Sequence, residues 1–200
     1  MDVLLSVSVG IGLAAACGFR IFVPLFLISI AHHTGHLELA SNFQWMGSPV
    51  AMVSFGAATL FEILAYYVPF FDNLLDTLAA PSAVVAGTMA TASQVADMDP
   101  WLAWSVAIIG GGGSAGVVQG LTTITRQISS LATAGFGNPL VSTVEAGASL
   151  AMTALAVVAP GIAVILLLLL VYFGAKKLMG MRRTVENETD GTIEPEPPAS

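Results

Sequence analysis

The chain has 200 residues, of which 56% are hydrophobic and 10% are charged. Soluble domains carry about 25% charged residues, so this sequence cannot cover a water-exposed surface and is not an ordinary soluble domain. The formal net charge is −7, but five of the thirteen acidic residues lie among the last fifteen, which leaves the apolar part much closer to neutral. The six basic residues form no patch along the apolar part, and this excludes a nucleic-acid-binding surface.

Long apolar runs fill the chain as far as residue 178. A bilayer core about 30 Å thick is crossed by about 20 apolar residues in an α-helix. Six runs of that order stand at 3–31, 47–68, 72–96, 101–128, 139–158 and 161–178. We place a break between the last two at Pro160 and Gly161. The predicted fold is an all-α, polytopic transmembrane helix bundle of about six spans, with some helices broken or kinked at Pro or Gly.

The basic residues near the C-terminus predict an orientation. Lys176, Lys177, Arg182 and Arg183 accompany the end of the sixth run, and basic residues beside a membrane span are retained in the cytoplasm. We therefore expect a cytoplasmic C-terminus and, with six spans, a cytoplasmic N-terminus as well. Residues 1–180 are predicted to form the transmembrane domain, and the acidic segment 181–200 a disordered cytoplasmic tail.

Six charged residues interrupt the apolar runs, where each costs at least about a few kcal/mol unless it faces a bundle interior or water. They are Arg20, Glu62, Asp72, Asp76, Arg126 and Glu145. In the six-span topology all except Arg20 come to the cytoplasmic half of the bilayer, which predicts a polar pocket there. We assign all six residues, Arg20 included, to a ligand or ion pathway. Helix breaks at Pro69 and at Asn138 with Pro139 are expected to line the pocket.

A purely structural interpretation of some of these charges stays open. Asp72 and Asp76 lie four residues apart and would suit the start of a helix, and Arg126 would reach the lipid headgroups. Glu62 and Glu145 fit this interpretation poorly, because apolar sequence flanks both of them closely, and so does Arg20, which lies well inside the first run.

Small residues at a four-residue spacing predict close helix packing in lipid. The pairs are Ala14 with Gly18, Gly112 with Gly116, and Gly116 with Gly120. Residues 111–116 also match GxGxxG, but within an apolar run this pattern favours helix packing over dinucleotide binding.

Other chemistry-bearing residues form no specific motif. His32, His33 and His36 lack a carboxylate at metal-binding spacing and are expected in a solvated loop. Cys17 is the single cysteine, so no intrachain disulfide forms. We expect no metal, no cofactor and no catalytic residue.

Several of these residues together resemble a bacterial membrane family known as domain of unknown function 4126, over nearly all of the chain before the tail. The resemblance rests on Gly18, Phe19, Arg20, Pro24, Leu25, Glu62, Val68, Pro69, Asp72, Asp76, Pro81, Gly87, Arg126, Asn138, Pro139, Ser142 and Glu145. Members of the family often have an acid where this chain has Tyr66, and another where it has Ala146. The resemblance implies a multi-pass bacterial inner-membrane protein and no established activity.

Three functions are compatible with these residues. The first is a small permease or channel for a cation, proton or polar solute, using a buried carboxylate pocket. The second is a membrane scaffold or assembly protein whose buried charges only pair helices. The third, ranked last, is a membrane-embedded enzyme acting on lipid, with Glu62 or Glu145 as acid or base.

Two similar segments favour the permease, because transporters often contain repeated halves. They are Gly18-Phe19 followed by Pro24-Leu25, and Gly135-Phe136 followed by Pro139-Leu140. The partners we expect are the lipid bilayer, an ion or small polar solute, and a second copy of the chain.

Overall fold

The computed structural model describes the backbone of residues 2–67, 71–95 and 98–191, and their side chains except at 71–74, 76, 178 and 181–191. Every regular element in these ranges is helical, as predicted. The elements are α1 (Val3–Phe19), α2 (Phe22–His33), a 3₁₀ helix (Ser41–Gly47), α3 (Pro49–Ala65), α4 (Phe71–Ala92), α5 (Pro100–Ser105), a π-helical segment (Val106–Gly112), α6 (Gly113–Thr133), α7 (Asn138–Val158) and α8 (Pro160–Gly191). The described residues up to Leu167 form one compact unit, and those from Leu168 onward form another.

Three helical stretches of the described chain are long and apolar enough to cross a membrane: Pro100–Thr133, Asn138–Val158 and Pro160–Lys177. The number of such stretches rises to four if the 3₁₀ helix and α3 are counted as one span bent by 63°. The helical membrane character is confirmed, whereas six spans and an internal repeat are not. One reason that six spans are not confirmed is that the first predicted run consists of two shorter helices, of 17 and 12 residues.

The first apolar run is interrupted at Arg20. The backbone of Arg20 is extended, with φ −147° and ψ 132°, and α2 begins two residues later at Phe22. Pro24 explains this position, because a proline ring clashes with the carbonyl four residues earlier and offers it no N–H. That carbonyl belongs to Arg20. The sequence therefore places a charged side chain at a helix break.

α1 is the central helix of the first unit and contacts α4, α6 and α7. Every side chain from Leu13 to Cys17 is 0% exposed. Thr91 Oγ1 of α4 donates to the Gly10 carbonyl, and Ser149 Oγ of α7 donates to the Ala16 carbonyl, both at 3.0 Å. Few competing partners exist in hydrocarbon, so these bonds hold α1 in register with both neighbours.

Glycines let the helices around α1 approach closely. A Cβ on Gly18 would lie 2.6 Å from the carbonyl oxygen of Ala115 in α6, and one on Gly112 would lie 2.6 Å from Thr88 Oγ1 in α4. The predicted packing role of Gly18 and Gly112 is confirmed. A Cβ on Gly120 would meet nothing within 4 Å, so the predicted close packing at Gly120 is not found among the described residues.

The predicted break between the last two apolar runs is confirmed. α7 ends at Val158, Ala159 has the non-helical angles φ −143° and ψ 67°, and α8 begins at Pro160. The backbone of α8 then continues to Gly191, past the expected boundary at residue 180. An existing helix extends at little cost, because its nucleus is already formed. Residues 192–200 lie outside the described part, and a disordered tail stays a prediction.

Candidate functional site

A buried charge cluster lies where the break between α1 and α2 meets α3, α6 and α7. We define it as Arg20, Glu62, Tyr66, Arg126, Ser142 and Glu145, each at most 6% exposed. Arg20 lies in the break, Glu62 in the last turn of α3, and Tyr66 directly after that helix. Arg126 belongs to α6, and Ser142 and Glu145 belong to α7. The cluster therefore joins five helices.

Glu145 connects the two arginines. Arg126 Nε donates to Glu145 Oε1 at 3.1 Å, and Arg126 Nη2 donates to Oε2. Arg20 Nη2 lies 3.4 Å from the same Oε2. A bidentate arginine–carboxylate pair fixes both position and orientation, so Glu145 fixes α7 against α6. Through Arg20, Glu145 also contacts the break between α1 and α2.

Tyr66 lies against both guanidinium groups. The Cζ atoms of Arg20 and Arg126 are 4.0 and 3.9 Å from the centroid of its ring. A cation over an aromatic face gains about 0.5–2 kcal/mol, and more where water is excluded. The attraction of both groups to the ring thus offsets part of the repulsion between the two positive charges.

Ser142 holds one end of the Arg20 side chain. Arg20 Nη2 donates to the Ser142 carbonyl at 3.0 Å and also to its hydroxyl. Nε and Nη1 of Arg20 have no hydrogen-bond partner among the described residues, although the side chain is only 1% exposed. These two nitrogens carry three of the five N–H donors of a guanidinium group. The cluster therefore presents buried donors that the protein itself does not satisfy.

Glu62 caps the start of α2. Its Oε1 accepts from the Ile21 backbone N–H at 2.8 Å, and its Oε2 accepts from that of Phe22 at 3.0 Å. The first N–H groups of a helix have no partner within that helix and form its positive end, where a carboxylate is favoured. A side chain of α3 thus satisfies the backbone that the break exposes.

Four of the six predicted charges meet in this cluster: Arg20, Glu62, Arg126 and Glu145. Asp72 and Asp76 lie on α4, but their side chains are outside the described part, as is Pro69.

Asn138 and Pro139 begin α7 and do not interrupt a helix. Asn138 Nδ2 donates to Ser130 Oγ of α6 at 2.9 Å, which ties the start of α7 to α6. Glu145 follows Asn138 by two helical turns, about 10 Å along the axis.

Sequence reasoning missed Tyr66 and Ser142 as members of the cluster. Both had a weak signal in their spacing: Tyr66 follows Glu62 by four residues, and Ser142 precedes Glu145 by three. Side chains three or four apart share a helical face. Neither residue is charged, so the cost of burial in lipid did not single them out.

The histidines remain apart from this cluster. His33 and His36 are exposed, and His32 Nδ1 lies 2.9 Å from the Leu37 carbonyl oxygen. Among the described residues, no three side chains of His, Cys, Asp or Glu are grouped to hold a metal ion.

Apolar helices around a buried charge cluster define a membrane-embedded helical protein. The chain belongs to the family described as "Domain of unknown function (DUF4126)", whose model matches residues 7–179. The predicted family is therefore confirmed. No curated protein and no solved structure matches the chain.

Proposed function

We propose that this protein is a small permease or channel whose charge cluster binds a polar solute or ion during passage through the membrane. The supporting observation is Arg20, which is 1% exposed and leaves Nε and Nη1 without partners in the described structure. A buried donor without a partner costs about 1–3 kcal/mol, and more when the group is charged. A solute that accepts hydrogen bonds from these nitrogens removes that cost.

The scaffold alternative also has support. Glu145 joins Arg20 to Arg126, and Glu62 joins α3 to α2, so the cluster connects helices whether or not a solute binds. A purely structural cluster is most stable when every buried polar group is satisfied, and Arg20 departs from this. The lipid-acting enzyme has the least support, because every carboxylate oxygen of Glu62 and Glu145 already accepts a hydrogen bond.

We further propose a bacterial inner-membrane location with the C-terminus in the cytoplasm, supported by Lys176 and Lys177 at the end of the apolar part of α8. In a Cys17→Ala background, a cysteine at Ser200 should react with an impermeant maleimide only after the cells are opened. A cysteine at Ser41 should react in intact cells. The reverse pattern would contradict the orientation.

Flux measurements test the permease directly. Purified protein in liposomes should show saturable uptake of at least one member of a panel containing protons, monovalent cations, small carboxylates and phosphate. Arg20→Lys keeps the charge but loses the planar set of donors, so its uptake should fall at least about tenfold, the loss of about 1.4 kcal/mol of binding. Arg182→Lys is the matched control outside the cluster and should behave as the wild type.

Glu62→Gln is a less specific test of transport. One amide oxygen replaces two carboxylate oxygens, and the amide NH₂ faces a backbone N–H of Ile21 or Phe22. Its effect would combine lost charge with a damaged helix cap.

If the wild type moves no solute in the panel, the permease is wrong and the scaffold alternative is favoured.

A further inference from the structure

We propose that the free donors of Arg20 bind an oxyanion, the carboxylate or phosphate group of the solute. This inference rests on the proposed function and specifies the chemical class of its solute. It depends on three features of the cluster. They are the fixed orientation of Arg20, the hydrogen bonds that the two glutamates already accept, and the two guanidinium charges.

The guanidinium group of Arg20 is held in place before any solute arrives. Nη2 is bonded to Ser142, and the Tyr66 ring lies 4.0 Å from Cζ. A guanidinium group is planar and presents its donors in a fork that matches carboxylate and phosphate oxygens. Since the plane is already fixed by protein contacts, little conformational entropy is lost when Nε and Nη1 receive these oxygens.

The glutamates are poorly arranged to bind a cation instead. Both oxygens of Glu62 accept backbone N–H groups at the start of α2, and both oxygens of Glu145 accept from Arg126. A metal cation needs several oxygen ligands that are free to coordinate it. Two guanidinium charges around Tyr66 attract an oxyanion, and the two carboxylates that oppose it are already bonded to the α2 backbone and to Arg126.

Arginine side-chain NMR tests binding without requiring transport. The chain contains four arginines, Arg20, Arg126, Arg182 and Arg183, so the ¹⁵N-arginine-labelled full chain should give four Nε–H signals. They are assigned by through-bond experiments on the wild type in maltoside micelles, so that no variant needs to fold. Acetate, inorganic phosphate and a short-chain phosphatidylglycerol are titrated separately against chloride at equal ionic strength.

We expect the Arg20 Nε–H signal to shift and saturate with acetate or phosphate, while the two tail arginines show only the shift that chloride also produces. Saturation with phosphatidylglycerol alone would assign the site to a lipid headgroup instead of a soluble solute. If the Arg20 signal saturates with none of the three, its buried donors bind no oxyanion and the inference is overturned.

The flux and NMR experiments can fail independently. Saturable binding at Arg20 without any flux would keep the oxyanion site and remove the permease. Flux of a cation or proton, with an Arg20 signal that saturates with none of the three ligands, would keep the permease and overturn the oxyanion site.

Discussion

Replacing Glu145 by Gln should lower the free energy of unfolding by about 3–5 kcal/mol, the usual cost of removing one partner from a buried ion pair. Glu145 is 4% exposed and provides the carboxylate for both Arg126 and Arg20. Gln has nearly the same size, so the loss reports the charge and not a cavity. Equilibrium unfolding in mild detergent micelles measures it.

Two further variants isolate the contribution of the pair. Glu38→Gln makes the same chemical change at an exposed acid and should alter the free energy of unfolding by less than about 0.5 kcal/mol. Adding Arg126→Gln to Glu145→Gln should cost less than the sum of the two single changes, because directly bonded residues are coupled by about 0.5–3 kcal/mol. Additive losses, or a Glu145→Gln protein as stable as the wild type, would contradict the bridging role of Glu145.

Gly18→Ala should destabilise the protein by about 1–3 kcal/mol, because it places a methyl group into a fully packed contact. The new Cβ would lie 2.6 Å from the Ala115 carbonyl oxygen, and that backbone atom belongs to α6 and cannot rotate away. Relief therefore requires α1 and α6 to separate. Thermal unfolding in detergent, followed by circular dichroism, measures the change.

Gly120→Ala is the matched control on α6. A Cβ at this position meets nothing within 4 Å in the described structure, and alanine has the higher helix propensity. We expect the melting temperature to stay the same or to rise slightly. A Gly18→Ala protein as stable as this control would show that α1 and α6 are not closely packed at Gly18.

The fold was predictable from sequence where the signal is local. Apolar runs predict helices because each helix satisfies its own backbone in lipid, and Pro160 predicts the start of α8 because proline acts on its own turn. The number of spans was harder to predict. Residues 3–31 contain enough apolar side chains for one span, but Pro24 frees backbone groups near residue 20. Whether the chain kinks or breaks there depends on Glu62, which is 41 residues from Ile21.

Part of the candidate site was predictable for a different reason. A charge buried in lipid is costly, and this singles out Arg20, Glu62, Arg126 and Glu145 without any knowledge of their partners. The partners depend on tertiary packing. Arg20 contacts Ser142 across 122 residues of sequence, and no periodicity in the sequence indicates that contact. Tyr66 is one aromatic residue among many in apolar sequence, so its position between two arginines appears only in three dimensions.

The separation between Arg20 and Ser142 also bears on how the protein is made. Ribosomes add about 5–20 residues per second, so the 122 residues between these partners take roughly 6–24 s to synthesise. α1 and α2 thus leave the ribosome well before α7 exists. During this interval Arg20 has neither Ser142 nor Glu145 to contact, and its charge has to be accommodated by water, by lipid headgroups or by the insertion machinery. Completion of α7 is therefore the step at which the first helices can assume their final position.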